Sequence, residues 1–396
     1  MNSNHVLNFK YCLINAFYFM LICGAVGYAN NFLLYKGFET SVIGITLTLV
    51  SLSALIIQAV MAPIIDRSTK INERKFMLFT LVIAAVLFGL LIFLQPSWLF
   101  LVVSIVAFSM CSAGVPFLNS LAFAYEQEGG KINYGVGRGI GSAAYAVGGA
   151  VIGWLVSWQG GQDEAIVTIL PYFVIVMSVL SVISLLLMKD PKKVTSENVE
   201  VKQISYVEFF KKYKKIMLVI VAMIMIFFCH MLINTYMINV LQDIGGNTTD
   251  QGNAIFLQAM VELPPMFLFA LILKKLKVNT LMAASAVLYI VKHAMICFAP
   301  NLPVFYMAMI LQMVTYAVLM PASVYFANEY IEEQDRNKGQ TVVAAAGTIG
   351  GLLSSFFGGF LLQMTGVKTV LLIGFVVTVI GAGLMLLGIR VLEKSK

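Results

Sequence analysis

AIFLQAMVELPPMFLFALIL (254–273) and LMAASAVLYIVKHAMICFA (281–299) are apolar runs of membrane-spanning length, and each holds one formal charge near its middle, Glu262 and Lys292. A charge at bilayer depth costs roughly 2.5–3.5 kcal/mol on insertion scales, and it persists where it faces a water-filled cavity or an opposite charge. One acid and one base on successive runs therefore point to a polar interior in a helical membrane protein. Such an interior is by default a substrate or proton pathway.

The rest of the chain agrees. Of 396 residues, 60% are hydrophobic and 11% charged, and the mean hydropathy is +0.90. Soluble domains carry about 25% charged residues, so the composition belongs to an all-α, polytopic membrane protein. Twelve apolar runs lie at 11–35, 42–64, 76–95, 99–125, 136–158, 166–188, 216–241, 252–273, 280–298, 303–328, 340–362 and 368–391. Each is near the ~20 residues a helix needs to cross ~30 Å of hydrocarbon. The first run is too long for the core of a signal peptide and lacks a cleavage site, so it is expected to remain as the first span.

The net charge of +7 is distributed in alternate loops: Arg67 to Lys75, Lys131, Lys189 to Lys215, Lys274 to Lys277, Arg336 with Lys338, and the tail from Arg390. The other loops hold almost no basic residues, Lys36 and Lys368 excepted. This is the positive-inside pattern of a multi-pass protein of the cell inner membrane with both termini cytoplasmic. It gives no reason to expect nucleic acid as a partner. Cys12, Cys23, Cys111, Cys229 and Cys297 fall within or at the edge of the runs without metal-site spacing, so they are expected to be apolar fillers. Neither a metal nor a cofactor is expected.

The longest polar stretch, KDPKKVTSENVEVKQISYVEFFKKYKK (189–215), separates six runs from six. The expected organisation is an N-terminal six-helix half (1–188), a cytoplasmic linker (189–215) and a C-terminal six-helix half (216–396), with binding near the midplane. The glycines around Tyr134–Ala146 do not follow a strand and run into a membrane helix, so they are expected to permit close helix packing rather than to cradle a phosphate.

Several stretches resemble the major facilitator superfamily, and within it the oligosaccharide/proton symporters of the lactose permease group. Asp66-Arg67, followed by basic residues into the third run, resembles the superfamily signature after span 2, with its leading glycine replaced. SLSALIIQAVMAPIIDR (51–67), including Gln58, is similar to the group's span 2. YGVGRGIGSAAYA (134–146) is similar to its span 5, where an arginine precedes a small residue by four and an aromatic by seven, here Arg138, Ser142 and Tyr145. AMVELPP (259–265) resembles the span 8 segment with its buried glutamate, and YIVKHA (289–294) falls where the group has a span 9 arginine.

The chain also departs from that pattern. Asn119 and Ser120 stand where the group has its sugar-binding glutamate in span 4. LQMVTYAVLMP (311–321) offers Gln312, Thr315 and Tyr316 where span 10 of the group has a histidine and a proton-accepting carboxylate. The group's span 7 aspartate and span 11 lysine are both absent, which preserves charge balance.

The resulting expectation is a secondary active transporter that imports a sugar or glycoside with protons by alternating access. Nucleoside/proton symport and export of drugs or lipids on the same fold are the alternatives. An enzyme is not expected, because three histidines and few intramembrane acids cannot form convergent catalytic clusters. A channel would show a filter motif, and none is present. Glu262, Lys292 and His293 are the expected proton-coupling residues, with His293 turned about 100° from Lys292 on a helix. Arg138, Asn119, Ser142, Tyr145, Tyr28, Asn31, Asn234, Gln312 and Tyr316 are the expected substrate contacts, since a polar neutral ligand needs many hydrogen-bonding groups and an aromatic face. Asp66 and Arg67 are expected to gate the inner helix ends. Pro264-Pro265 should interrupt the eighth helix beside Glu262. The expected partners are a small polar substrate, the proton and the lipid bilayer, with the chain a monomer.

Overall fold

A computed structural model describes residues 3–68, 70–127, 129–191 and 205–394. Part of the expected linker, 192–204, lies outside the described residues. The chain divides into two compact units, Met1–Glu197 with Asn247–Ala259, and Asn198–Gly246 with Met260–Lys396. No strand occurs among the described residues.

The first unit contains α1 (Asn4–Gly27), α2 (Thr40–Arg67), α3 (Glu73–Phe93), α4 (Trp98–Gln127), α5 (Tyr134–Trp158) and α6 (Asp163–Leu186). α7 (Ile216–Thr235) lies in the second unit. α8 (Thr248–Phe267) starts in the first unit and passes into the second after Ala259. α9 (Val278–Cys297), α10 (Leu302–Tyr330), α11 (Lys338–Thr365) and α12 (Val367–Glu393) complete the second. Eleven of these helices are long and apolar enough to cross a membrane. α8 has the length, at 20 residues, but carries Asp250, Gln251, Asn253, Gln258 and Glu262.

Packing within each unit follows one plan. α1 packs on α5 and α6, and α3 on α4 and α6. In the second unit α7 packs on α11 and α12, and α9 on α10 and α12. The second set is the first shifted by six helices, as an internal repeat requires. The helix starts repeat as well. Ser97 accepts the Phe100 N–H where α4 begins, and Asn301 accepts the Val304 N–H where α10 begins; each side chain satisfies an orphan donor of the first turn.

Lipid tails are as apolar as leucine, so these helices are held by close packing rather than by exclusion from water. Glycine makes the closest approaches possible. A Cβ at Gly148 in α5 would stand 3.3 Å from the Met20 Cα, and one at Gly350 in α11 would stand 2.9 Å from the Phe227 Cβ.

Three interruptions shape the interior. α1 ends in a π-helical turn, Cys23–Gly27. α10 passes through a 3₁₀ turn at Leu311–Met313, after which Thr315 leaves helical geometry at φ −101°, ψ −90°. α8 runs through both prolines to Phe267 and breaks at Leu268, before Phe269–Leu273 resumes. The break therefore falls later than the prolines themselves suggest. What Pro264 and Pro265 remove are two N–H donors, which leaves the Met260 and Val261 carbonyls without their intrahelical partners one turn earlier.

Candidate functional site

The second unit brings Glu262 (α8), Gln312 (α10) and Lys292 (α9) into one chain of hydrogen bonds. The Gln312 Nε2 donates to Glu262 Oε1 at 2.7 Å. The Lys292 Nζ donates to Gln312 Oε1. Lys292 is 2% exposed and Gln312 fully buried. The amide orientation follows from its neighbours: an ammonium only donates and a carboxylate only accepts, so the carbonyl must face Lys292 and the NH₂ group Glu262. Acid and base are thus linked through a neutral bridge. Gln312 can occupy this position because the 3₁₀ turn at Leu311–Met313 re-aims it; mid-helix 3₁₀ stretches often mark functional hinges.

Around this bridge lies a buried aromatic and imidazole cluster. The His230 ring stacks on Tyr316 at 5.2 Å between centroids and meets the edge of Tyr289 at 5.7 Å. Asn234 donates from Nδ2 to the His230 carbonyl at 3.0 Å and lies 3.2 Å from the ring Nε2. That amide N–H requires Nε2 to be the acceptor, so the His230 proton sits on Nδ1. His293 points to α12 rather than α10, as a residue next to Lys292 on a helix must. Its Nδ1 stands 2.7 Å from the Thr378 Oγ1. The Thr378 hydroxyl spends its proton on the Gly374 carbonyl at 2.9 Å, so His293 donates from Nδ1. Its Nε2 is a buried acceptor without a hydrogen-bond partner.

In the first unit, Arg138 lies half-buried on α5 with its guanidinium carbon 4.3 Å above the Phe19 ring centre. Its Nη1 donates to the Ser142 Oγ at 3.2 Å, one turn along the same helix. Tyr11, Asn15 and Phe19 recur every four residues on α1. They face Gly137 and Gly141, where added Cβ atoms would stand 2.3 Å from the Tyr11 ring and 2.6 Å from that of Phe19. Asn15 and Asn119 each carry a buried Oδ1 without a hydrogen-bond partner. A buried, unmet acceptor costs about 1–3 kcal/mol, a deficit that a ligand hydroxyl would relieve.

Tyr28 and Asn31 are engaged with protein. The Tyr28 hydroxyl donates to the Gly149 carbonyl at 2.9 Å, and Asn31 donates to the Gln251 Oε1 at 2.8 Å. Gln251 in turn donates to the Gly27 carbonyl at 3.0 Å. The Thr248 N–H donates to the Asp163 Oδ1 at 2.7 Å. The Thr249 hydroxyl donates to the Gly153 carbonyl at 3.0 Å, so the start of α8 is stitched to α1, α5 and the first residue of α6 within this unit. Tyr145 places its hydroxyl 3.1 Å from where a Gly27 Cβ would sit. Asp66 and Arg67 are both exposed at the end of α2.

The contributors outside the sequence expectation include Asn15, Phe19, Gln251, Asp163 and Thr378, with Tyr11 and Tyr289. The four-residue spacing of Asn15 and Phe19 was a visible signal for the first two. Gln251, Asp163 and Thr378 gave none, since each acts through a helix distant in sequence. The described residues contain no group of three His, Cys, Asp or Glu side chains able to hold a metal ion.

A membrane-embedded helical protein with two repeated six-helix sets, interrupted helices and intramembrane charges has the architecture of a secondary transporter. A profile of the MFS_1 like family matches residues 8–373, and the chain belongs to that family of major facilitator transporters. It is 24% identical over 317 residues to the maltose permease of Geobacillus stearothermophilus, covering 78% of this chain and 77% of that one. Its fold is similar to that of the nucleoside transporter NupG, with a TM-score of 0.80 at 13% identity over 98% of this chain and 99% of that one. It is also similar to an inward-facing bacterial homologue of the human lysosomal transporter Spinster, with a TM-score of 0.73 at 14% identity over 100% and 99%. These relatives are transporters, not enzymes.

Proposed function

We propose that the chain imports a sugar or glycoside together with protons by alternating access, and that Glu262 is the proton site. The observation that carries this is the Glu262–Gln312–Lys292 chain, with its acid half-buried and its bridge and base buried. Protonating Glu262, which is half-buried, removes the negative end of a bridge whose positive end is buried, so proton binding changes what the bridge holds together. Arg138, held on the Phe19 face and beside Ser142, is the proposed substrate clamp; Asn119 and Asn15 offer acceptors for hydroxyl groups. In the second unit, Asn234 and Tyr316, both beside the His230 ring, are proposed as further substrate contacts. The halves 1–188 and 216–396 are proposed as the moving bodies, joined by 189–215, in the cytoplasmic membrane with both termini inside.

The maltose permease relative favours a sugar over the alternatives. Nucleosides also present a hydroxylated ring, so they belong in the test. Proteoliposomes with an imposed inward proton gradient should accumulate one member of a panel of sugars, glycosides and nucleosides, and collapse of the gradient should stop accumulation. Accumulation of a nucleoside alone would transfer the substrate assignment. Uptake that ignores the proton gradient would refute the coupling.

A further inference from the structure

The short helix Tyr206–Lys212 precedes α7 and plays no part in the site described above. It is firmly built. Ser205 accepts the Glu208 N–H while Glu208 accepts the Ser205 N–H, a reciprocal capping box. Its inner face is anchored in the second unit: Phe209 is fully buried, and the Lys212 Nζ reaches Glu332 at 2.8 Å and the buried Asp335 at 2.9 Å. The Tyr213 hydroxyl donates to the same Asp335 at 2.9 Å.

The opposite face has a different composition. Tyr206, Val207 and Phe210 are 51%, 63% and 43% exposed. Lys211 is exposed beside them on the helix, and Lys214 and Lys215 are exposed in the turn that follows. Residues 206, 207, 210 and 211 are spaced by one, three and four, which places them on one helix face. Lys215 directly precedes α7, which begins at Ile216. Three residues separate the short helix from a membrane span, so at ~3.3–3.6 Å per residue it lies within roughly 10–15 Å of the hydrocarbon, the depth of the headgroup layer. A face that presents aromatic and aliphatic side chains beside unburied ammonium groups at that depth matches an anionic lipid surface.

We propose that this face docks anionic phospholipid headgroups, with Lys211, Lys214 and Lys215 meeting the phosphates and Tyr206, Val207 and Phe210 entering the interface. Lys212 is excluded from this role because its charge is spent on Glu332 and Asp335. Those contacts instead tie the lipid-facing helix to the segment between α10 and α11.

The test is lipid retention by the full chain, released from nanodiscs of phosphatidylcholine doped with phosphatidylglycerol and read by native mass spectrometry. The wild type should retain phosphatidylglycerol over phosphatidylcholine, with retention falling as salt is raised. The triple variant Lys211→Gln, Lys214→Gln, Lys215→Gln should weaken it by roughly 100-fold, at about fivefold per lysine. The control triple Lys274→Gln, Lys275→Gln, Lys277→Gln removes the same charge from other exposed positions and should weaken retention clearly less than the first triple. Equal losses in the two triples would reduce the effect to net charge and overturn the proposal. So would a wild type that retains both lipids equally, as expected if the face meets a soluble partner.

Discussion

Replacing Gln312 by leucine keeps most of the side-chain volume and removes the bridge. Two hydrogen bonds to charged groups are lost, one accepted from Lys292 and one donated to Glu262. Such bonds contribute about 1.5–3 kcal/mol each, so the variant should be destabilised by roughly 3–6 kcal/mol. Most of that cost comes from leaving the Lys292 ammonium, 2% exposed, without its acceptor. If that account is right, removing the ammonium as well should recover part of the loss. Lys292→Met is close in length and carries no charge, so the double variant should be more stable than the sum of the single effects predicts, by at least ~1.5 kcal/mol. The assay is a double-mutant cycle on reversible unfolding in mixed micelles, with denaturant midpoints compared at constant slope. Additivity within ~0.5 kcal/mol would refute the bridge, because distant independent sites add to about that tolerance.

Other consequences follow from the same geometry. Gly252→Ala would place a methyl 2.5 Å from the Gly149 carbonyl oxygen, 0.9 Å short of the 3.4 Å at which ordinary contact begins. The start of α8 should move off α5 at a cost of about 1–3 kcal/mol, read as lost hydrogen-exchange protection over 247–259; unchanged protection would contradict the packing. Arg138→Ala should abolish substrate binding without unfolding the protein, and Arg138→Lys should restore little, because an ammonium cannot replace a planar guanidinium stacked on Phe19. Undiminished binding by the alanine variant would remove Arg138 from the site. Hydrogen bonding to Lys212 holds the Asp335 and Glu332 carboxyls below their usual values. A depressed folded value contributes stability above the unfolded value, near 3.9 for Asp and 4.3 for Glu, and that stability is lost as pH falls through the folded one. The helix Tyr206–Lys212 should therefore stay protected at pH 5–8 and loosen only below about pH 4. Hydrogen exchange corrected for its intrinsic pH dependence measures this, and loosening between pH 5 and 7 would contradict it.

The membrane class was legible because hydropathy and alternating loop charge are properties of composition and order alone. Glu262 and Lys292 stood out for the same reason: a charge in an apolar run is visible without knowing its neighbours. The bridge was not. Gln312 was a candidate substrate contact, since nothing in LQMVTYAVLMP (311–321) announces a 3₁₀ turn aimed at two other helices. Helix geometry correctly separated His293 from Lys292 but could not supply Thr378, which lies 85 residues away. Tyr28 and Asn31, expected as substrate contacts, also hold Gly149 and Gln251, partners that the sequence did not announce. That contact depends on how closely α5 and α8 approach, and the approach is set by glycines whose partners the sequence does not reveal. The double proline was seen as a disturbance, and the break falls at Leu268, one turn beyond Pro264.

The claim on which the account turns is that Glu262 carries the proton. Glu262→Gln keeps the shape and the hydrogen-bonding capacity toward Gln312 while removing titration. In proteoliposomes the variant should exchange labelled substrate across the membrane at a rate comparable to wild type, yet fail to accumulate it against a gradient when a proton gradient is imposed. Accumulation at the wild-type level would make Glu262 a structural residue and contradict the proposed coupling.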